Sequence, residues 1–255
     1  RLYYMTLSGS VVALSPLIGS WLQTTFDWQG SFYGFALMAL GMLIHAFCIL
    51  PSQAASPHRV PVSILGTLKA VAANRDFLRY WWIAALVFAC YFALISVTPL
   101  IFMDALKLSE YQYALVLMVY GVAYLLGGVA ASHLQKRMTL SRQINIGLGL
   151  LLVAGALLTL IVSLNAISTV TLLIPMLISA LAVTLVRPAA ISAAMLLFSS
   201  SAGTAASAGN SIMFLTAAIS SAALAQAGDY LLITIAIGFI VLSLWGLMTN
   251  SRAGR

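Results

Sequence analysis

The sequence predicts an all-α membrane protein with eight transmembrane helices. Of its 255 residues, 62% are hydrophobic and only 7% are charged, whereas about 25% of the residues of a soluble domain carry a charge. Lipid must therefore cover most of the surface. The apolar stretches are continuous and do not alternate in polarity, which favours helices over the strands of a membrane barrel.

Eight stretches reach the roughly 20 apolar residues that a helix needs to span a bilayer. Their approximate bounds are 3–23, 30–50, 79–103, 112–133, 142–163, 168–198, 204–226 and 229–248. Between the second and third, residues 53–78 contain Pro57, Pro61 and the amphipathic stretch ILGTLKAVAANRDFL. This segment predicts a cytoplasmic linker with a surface helix. It would separate two spans in residues 1–52 from six spans in residues 79–255.

The basic residues predict the orientation. Ten of the 12 lysines and arginines lie before the first span, in residues 53–79, in residues 134–142 or after the last span. The positive-inside rule makes this side cytoplasmic, so both ends of the chain are expected in the cytoplasm. The tryptophans lie near span ends, as expected of an interfacial belt; they are Trp21, Trp28, Trp81, Trp82 and Trp245.

Several function classes lack support. The net charge of +7 lies in short loops and not on one basic face, which argues against nucleic acid as a partner. Cys48 and Cys90 fall in different spans, so we expect them to act as small hydrophobic residues and not as a disulfide or a metal-binding pair. No metal-ligand spacing, nucleophile motif or phosphate loop is present in the sequence, so we expect no enzyme, metal or cofactor.

Polar and aromatic residues recur at helical spacing in four spans. Tyr91 and Thr98 share a face of the third span, Thr184 and Arg187 share a face of the sixth, and two longer stripes follow in the fourth and seventh. These stripes are Tyr113, Tyr120, Tyr124, Gly128 and Gly203, Ser207, Asn210, Phe214, Ser221. We expect these four spans to line a cavity, and the second, fifth and eighth to face lipid. Helix–helix packing is the alternative for each stripe.

Arg187 is the only charged residue inside an apolar stretch. A charge within the bilayer costs at least about 2.5–3.5 kcal/mol and usually marks a pathway or cavity. Ten mostly apolar residues follow before the serine-rich loop, which favours a cavity over snorkelling to the headgroups. Pro188 and Pro99 are expected to kink their helices.

No carboxylate lies within a span. The five acidic residues occupy loops or span edges: Asp27, Asp76, Asp104, Glu110 and Asp229. Proton-coupled transport normally uses an acid inside the membrane.

Three segments resemble the major facilitator superfamily. SPLIGSW (15–21), followed by FDWQGSFYGFAL, resembles the fifth-helix motif of its drug:proton antiporters: Pro16 and Gly19 match, and Ser15 and Ser20 stand where glycine is common. GGVAASHLQKRM (127–138) resembles the second copy of the loop between the second and third helices. RPAAISAAMLLFSSSAGTAASAGN (187–210) resembles the tenth and eleventh helices of the bicyclomycin/chloramphenicol-resistance branch. The chain would then correspond to helices five to twelve of twelve, without the first four.

The resemblance implies a secondary active transporter of the bacterial inner membrane. It would export small amphipathic drugs or metabolites in exchange for protons by alternating access, conferring antibiotic resistance, with the coupling acid in the missing helices. Two alternatives stay open: uptake of metabolites or sugars, and a non-transporting membrane module or truncated gene product. The residues expected in the substrate cavity are Tyr91, Tyr120, Tyr124, Arg187, Asn210 and Phe214. Those expected to kink or pack helices are Pro16, Gly19, Pro99 and Pro188.

Overall fold

The computed structural model describes residues 2–49 and 64–251, except for the side chains of residues 2–14, 16, 17, 200 and 229. Every regular element within these ranges is helical, which confirms the predicted all-α class. The α-helices are α1 (Leu2–Ile49), α2 (Ile64–Ala73), α3 (Arg75–Pro99), α4 (Glu110–Leu134), α5 (Leu140–Ser163), α6 (Thr169–Leu196), α7 (Ala202–Ala225) and α8 (Leu231–Ser251).

Seven helical segments in these ranges are long and apolar enough to cross a membrane. Six of them are α3 to α8, where α3 counts with its extension to Ala105, and the seventh is Ile18–Ile49 within α1. The amphipathic stretch that was predicted as a surface helix forms α2. Residues 53–63 of the predicted linker lie outside the described residues, so the proposed division of the chain at this linker stays a prediction.

The first two predicted spans both lie in α1, which is broken at Asp27. The backbone of Asp27 has φ 60° and ψ −171°, which no helix contains. A Cβ placed on Gly30 would lie 2.9 Å from the Leu22 carbonyl oxygen, although residues 22 and 30 of a straight helix are about 12 Å apart. The chain therefore turns sharply at Asp27, where the sequence predicts the end of one span.

Two of the expected kink or packing positions lie in α1. The side chain of Pro16 is outside the described residues. A Cβ on Gly19 would meet no atom within 4 Å, so the described residues place no close neighbour there. The packing role of both residues stays a prediction.

Polar side chains cap the helix starts and thereby fix the span boundaries. Asn74 accepts a hydrogen bond from the Phe77 amide, so α3 begins at Arg75, four residues before the predicted start. Ser109 with Gln112 and Ser168 with Thr171 form capping boxes at the starts of α4 and α6. Each cap satisfies amide groups that would otherwise be orphaned at a helix end.

Pro99 marks a change of helix type. It is the last residue of α3, and the next six residues, Leu100–Ala105, continue as a π-helical segment. Because proline has no N–H, the Ile95 carbonyl lacks its α-helical donor, and the Thr98 hydroxyl donates to that carbonyl instead, at 2.7 Å. The Tyr113 hydroxyl lies 2.8 Å from the Thr98 hydroxyl and connects α3 to α4.

Helix α6 is the centre of the bundle. It packs against α3, α4 and α5, while α7 packs on α3, α8 on α5, and α1 on α4. Glycines permit these close approaches: a Cβ on Gly147 of α5 would lie 3.0 Å from the Ala182 carbonyl oxygen, and one on Gly155 would lie 3.0 Å from the Ala236 carbonyl oxygen of α8. Small residues of this kind allow helix backbones to approach within a membrane.

Trp81 departs from the expected interfacial belt. It is 1% exposed and packs against Phe77, whose ring also contacts Phe198. Val71 of the amphipathic helix α2 belongs to the same buried cluster. The other four tryptophans are between 38% and 61% exposed, in keeping with positions at a lipid or headgroup surface.

Candidate functional site

Three tyrosines meet where α3 faces α4. The Tyr91 ring of α3 stacks on the Tyr120 ring of α4, with 5.9 Å between centroids and 20° between planes. The Tyr124 ring, one helical turn further along α4, lies 5.6 Å from Tyr91 at 46°. Tyr120 is buried, and its neighbourhood includes Ser179 of α6. Because Tyr120 and Tyr124 are four residues apart, they lie on one face of α4, as predicted. Both rings therefore contact the Tyr91 ring of α3.

Phe88 joins these tyrosines to two further candidate residues. Its ring stacks on Tyr91 at 6.2 Å and meets Phe214 of α7 edge to face at 5.7 Å. The Arg187 guanidinium carbon of α6 lies 4.7 Å from the Phe88 ring centroid, which is within the range of a cation–π interaction. We call these five rings, Phe88, Tyr91, Tyr120, Tyr124 and Phe214, the aromatic array.

A cavity of about 610 Å³ adjoins the aromatic array between α4 and α6. Tyr124 belongs to both features, and Arg187, which contacts the array at Phe88, also lines the cavity. The remaining lining comes from α4, α6 and the start of α5: Leu125, Gly128, Val129, Ala131, Ser132, Gln135, Gln143, Thr184, Pro188, Ile191 and Ser192. Gln135 follows the last residue of α4, and Gln143 lies in the first turn of α5. The cavity therefore extends to the end of the bundle that the sequence predicts to be cytoplasmic.

The α4 and α6 helices approach closely at Gly127, beside this cavity. A Cβ on Gly127 would overlap the Thr184 hydroxyl and would lie 3.2 Å from the Leu181 Cα. The two backbones therefore touch at this point, whereas most lining residues follow Gly127 on α4 and Thr184 on α6. Most of the cavity therefore lies between this contact and the end of the bundle where α5 begins.

The cavity wall is mixed in polarity and carries positive charge. Arg187 is the one charged residue among its lining residues, which otherwise combine aliphatic side chains with hydroxyl and amide groups. Within the described part of the chain, the single ion pair joins Arg79 to Asp76 at 3.1 Å, remote from Arg187 in sequence. No group of acidic, histidine or cysteine side chains in this part could hold a metal ion.

Of the six predicted cavity residues, Tyr124 and Arg187 line the cavity, and Tyr91, Tyr120 and Phe214 are linked to them through the aromatic array. Asn210 is the exception, because it is exposed and lies one turn before Phe214 without joining the array. Phe214 is itself 59% exposed, so it forms the outer edge. Pro188 lines the cavity inside an unbroken α6, and its missing N–H leaves the Thr184 carbonyl without an α-helical donor.

Two residues at this site were missed by the sequence analysis. Phe88 is apolar, and only its position three residues before Tyr91 indicates that it shares that face. Gln143 belongs to α5, which was expected to face lipid, yet its side chain is buried and borders the cavity. Gln143 is one of several polar residues at the start of α5, so its polarity alone did not distinguish it from residues that face the headgroups.

Comparison with known proteins agrees with the fold. The family model of the Major Facilitator Superfamily matches residues 2–221. The chloramphenicol resistance protein CraA of Acinetobacter baumannii is 29% identical to the chain over 148 residues. That match covers 58% of this chain and only 36% of the relative's length.

Proposed function

The chain belongs to the Major Facilitator Superfamily, and we propose that it forms part of a secondary transporter that exports small amphipathic molecules in exchange for protons. Membership of a transporter family places the protein outside the enzymes. The name of its relative, a chloramphenicol resistance protein, supports drugs as the class of exported molecule. The proposed location is the bacterial inner membrane, with both ends of the chain in the cytoplasm.

The observation that carries this proposal is the meeting of Arg187 with the aromatic array at the cavity wall. The volume of about 610 Å³ lies within the roughly 300–1,000 Å³ of sites for drug-sized ligands. Aromatic rings offer apolar area with defined stacking geometry, while one guanidinium offers several hydrogen-bond donors. A wall of this composition suits an aromatic molecule with polar substituents.

Alternating access would expose the cavity to each side of the membrane in turn. Proton exchange requires a group that binds and releases a proton during this cycle, commonly an intramembrane acid. The acidic residues of the chain lie at helix ends or at the break in α1. The proposal therefore includes a coupling acid outside these 255 residues.

Drug accumulation in inverted membrane vesicles tests the proposal. Vesicles that contain the full-length protein and have an acidic interior should accumulate radiolabelled chloramphenicol. A protonophore should abolish this accumulation. Arg187→Ala should lower the accumulation while the amount of protein in the membrane stays unchanged. Vesicles from cells without the protein give the background.

Each other outcome contradicts a defined part of the proposal. Accumulation that survives the protonophore would contradict proton exchange. Gradient-driven accumulation in right-side-out vesicles would indicate uptake in place of export. If no member of a panel of drugs and metabolites accumulates in either orientation, the chain is a non-transporting membrane module.

A further inference from the structure

Gln143 brings a buried amide from α5 to the cavity wall. It lies in the first turn of α5, and its side chain is only 1% exposed. Its Nε2 donates to the Leu185 carbonyl of α6 at 3.0 Å. The residue also borders the cavity beside Thr184 and Arg187. The amide is therefore held in place by α6 at the cavity wall.

The hydrogen bond to Leu185 fixes which end of the amide is free. A carbonyl oxygen can only accept, so the atom that faces it must be the NH₂ group, and the Gln143 Oε1 must point elsewhere. This Oε1 is buried and has no hydrogen-bond donor within the described residues. Buried polar atoms normally have a partner. An unpaired acceptor at a cavity wall therefore indicates a donor that arrives with a ligand.

The remaining wall restricts the chemistry of that ligand. Arg187 supplies donors and a positive charge, and no lining residue is acidic. An organic cation would meet like charge without compensation, whereas an uncharged or anionic molecule would not. Tyr124 adds an aromatic face at the same wall. A ligand that fits this wall has an aromatic part, a hydrogen-bond acceptor for Arg187, and a hydroxyl or amide N–H that donates to Gln143.

We propose that Gln143 is a specificity-determining residue whose Oε1 accepts a hydrogen bond from a hydroxyl or amide N–H of an uncharged or anionic amphipathic substrate. The inference rests on the proposed function for the identification of this ligand as a transported substrate. A site with a buried acceptor discriminates against analogues that lack the donor, because the acceptor then stays unpaired. Gln143 should thus recognise donors, while the aromatic array recognises shape.

Equilibrium dialysis with the purified protein in detergent tests the role of Gln143. The ligand pairs are chloramphenicol and its derivatives in which one hydroxyl or the amide nitrogen carries a methyl group. At least one of these derivatives should bind to the wild-type protein about tenfold more weakly than chloramphenicol does. In Gln143→Leu, the ratio of the dissociation constants of these two ligands should fall to about one. Affinity for the methylated member of that pair should remain unchanged.

Gln226→Leu is the matched control, because it removes an exposed glutamine that lies outside the cavity lining and donates to the Ala222 carbonyl of α7. This variant should keep the tenfold ratio. An unchanged ratio in Gln143→Leu, or a wild-type protein without any donor preference, would overturn the inference. Equal weakening of both ligands by Gln143→Leu would assign the residue a structural role and would overturn it as well.

Vesicle accumulation of the same ligands separates the inference from the proposed function. Accumulation of chloramphenicol with an unchanged ratio in Gln143→Leu overturns the inference and leaves the function intact. Binding with the expected ratio but without accumulation supports the specificity role of Gln143 and overturns the function. Absence of binding in the wild-type protein overturns the inference whether or not accumulation is seen.

Discussion

The guanidinium carbon of Arg187 lies 4.7 Å from the centroid of the Phe88 ring. A charge among apolar helices is costly unless it finds compensation, and the negative face of an aromatic ring supplies part of it. No carboxylate of the described residues lies within ion-pair distance of Arg187. The ring therefore holds the guanidinium in place without neutralising it, and the charge remains available to a ligand.

Replacement of Phe88 by leucine should weaken ligand binding. The substitution keeps an apolar side chain but removes the ring that contacts Arg187, Tyr91 and Phe214. A cation–π interaction contributes about 0.5–2 kcal/mol, so binding of chloramphenicol should fall by about 2- to 30-fold. Phe88→Tyr keeps the ring and should bind within about twofold of the wild-type protein. Equal affinities of the leucine and tyrosine variants would contradict this role of the ring.

Replacement of Gly147 by alanine should destabilise the bundle. The new Cβ would lie 3.0 Å from the Ala182 carbonyl oxygen, which belongs to the α6 backbone and cannot rotate away. Overpacking of this kind costs about 1–3 kcal/mol, more than the roughly 1 kcal/mol by which alanine favours a helix over glycine. The temperature of unfolding in detergent should therefore fall.

Gly149→Ala is the matched control for this prediction. It lies two residues further along α5, and a Cβ there would meet no atom within 4 Å. The helix preference for alanine then acts alone, so the unfolding temperature should stay the same or rise. An equal decrease in both variants would show that α5 requires glycine for a reason other than its contact with α6.

Asn250→Ala should loosen the attachment of α8 to α5. The Asn250 side chain is 0% exposed, and its Nδ2 lies 2.7 Å from Asn145 Oδ1 and 3.0 Å from both the carbonyl and the hydroxyl oxygen of Ser141. Hydrogen bonds between membrane helices contribute about 0.6–1.7 kcal/mol. Thermal unfolding of Asn250→Ala, Asn145→Ala and the double variant should give a coupling energy of this size.

Ser251→Ala provides the comparison for Asn250→Ala, because the Ser251 hydroxyl donates only within its own helix, to Met248. Its unfolding temperature should match that of the wild-type protein. Strictly additive effects of Asn145→Ala and Asn250→Ala would mean that the contact between these two side chains contributes nothing to stability.

Cysteine labelling tests the predicted orientation. Lys107, between α3 and α4, and Lys136, between α4 and α5, are both exposed and lie at opposite ends of α4. In a background with Cys48→Ser and Cys90→Ser, a membrane-impermeant maleimide should label Lys107→Cys in intact cells. Lys136→Cys should react only after permeabilisation. The reverse pattern would contradict the positive-inside assignment.

The spans were predictable because the bilayer thickness sets the length of a membrane-spanning helix. Each span therefore appears in the sequence as a continuous run of apolar residues. Their starts could be refined by capping residues such as Asn74 and Ser168, which satisfy the first amide groups. The cavity faces were also predictable in part, since polar and aromatic residues at helical spacing must share a side. Tyr91, Tyr120 and Tyr124 meet as this rule requires.

Phe88, Gln143 and Trp81 show where such rules fail. A search for polar stripes ignores an apolar ring, although Phe88 of α3 contacts both Phe214 of α7 and Arg187 of α6. Gln143 and Trp81 lie near helix ends, where lipid headgroups are the usual neighbours of polar and amphipathic side chains. Both are instead buried by another helix, α6 for Gln143 and α2 with its neighbours for Trp81. These contacts depend on tertiary packing that no single span encodes.

Contact between the α4 and α6 backbones at Gly127 limits the shape of any molecule that the cavity accepts. Since the Leu181 Cα lies close to Gly127 and the glycine has no side chain to rotate, rotamer changes of α4 cannot widen the cavity at this contact. Additional bulk must extend along the helices toward Gln135 and Ser192, which line the cavity beyond this contact. A homologous series of ligands should therefore tolerate growth in length at that end, while branching beside the Gly127 contact should exclude a ligand.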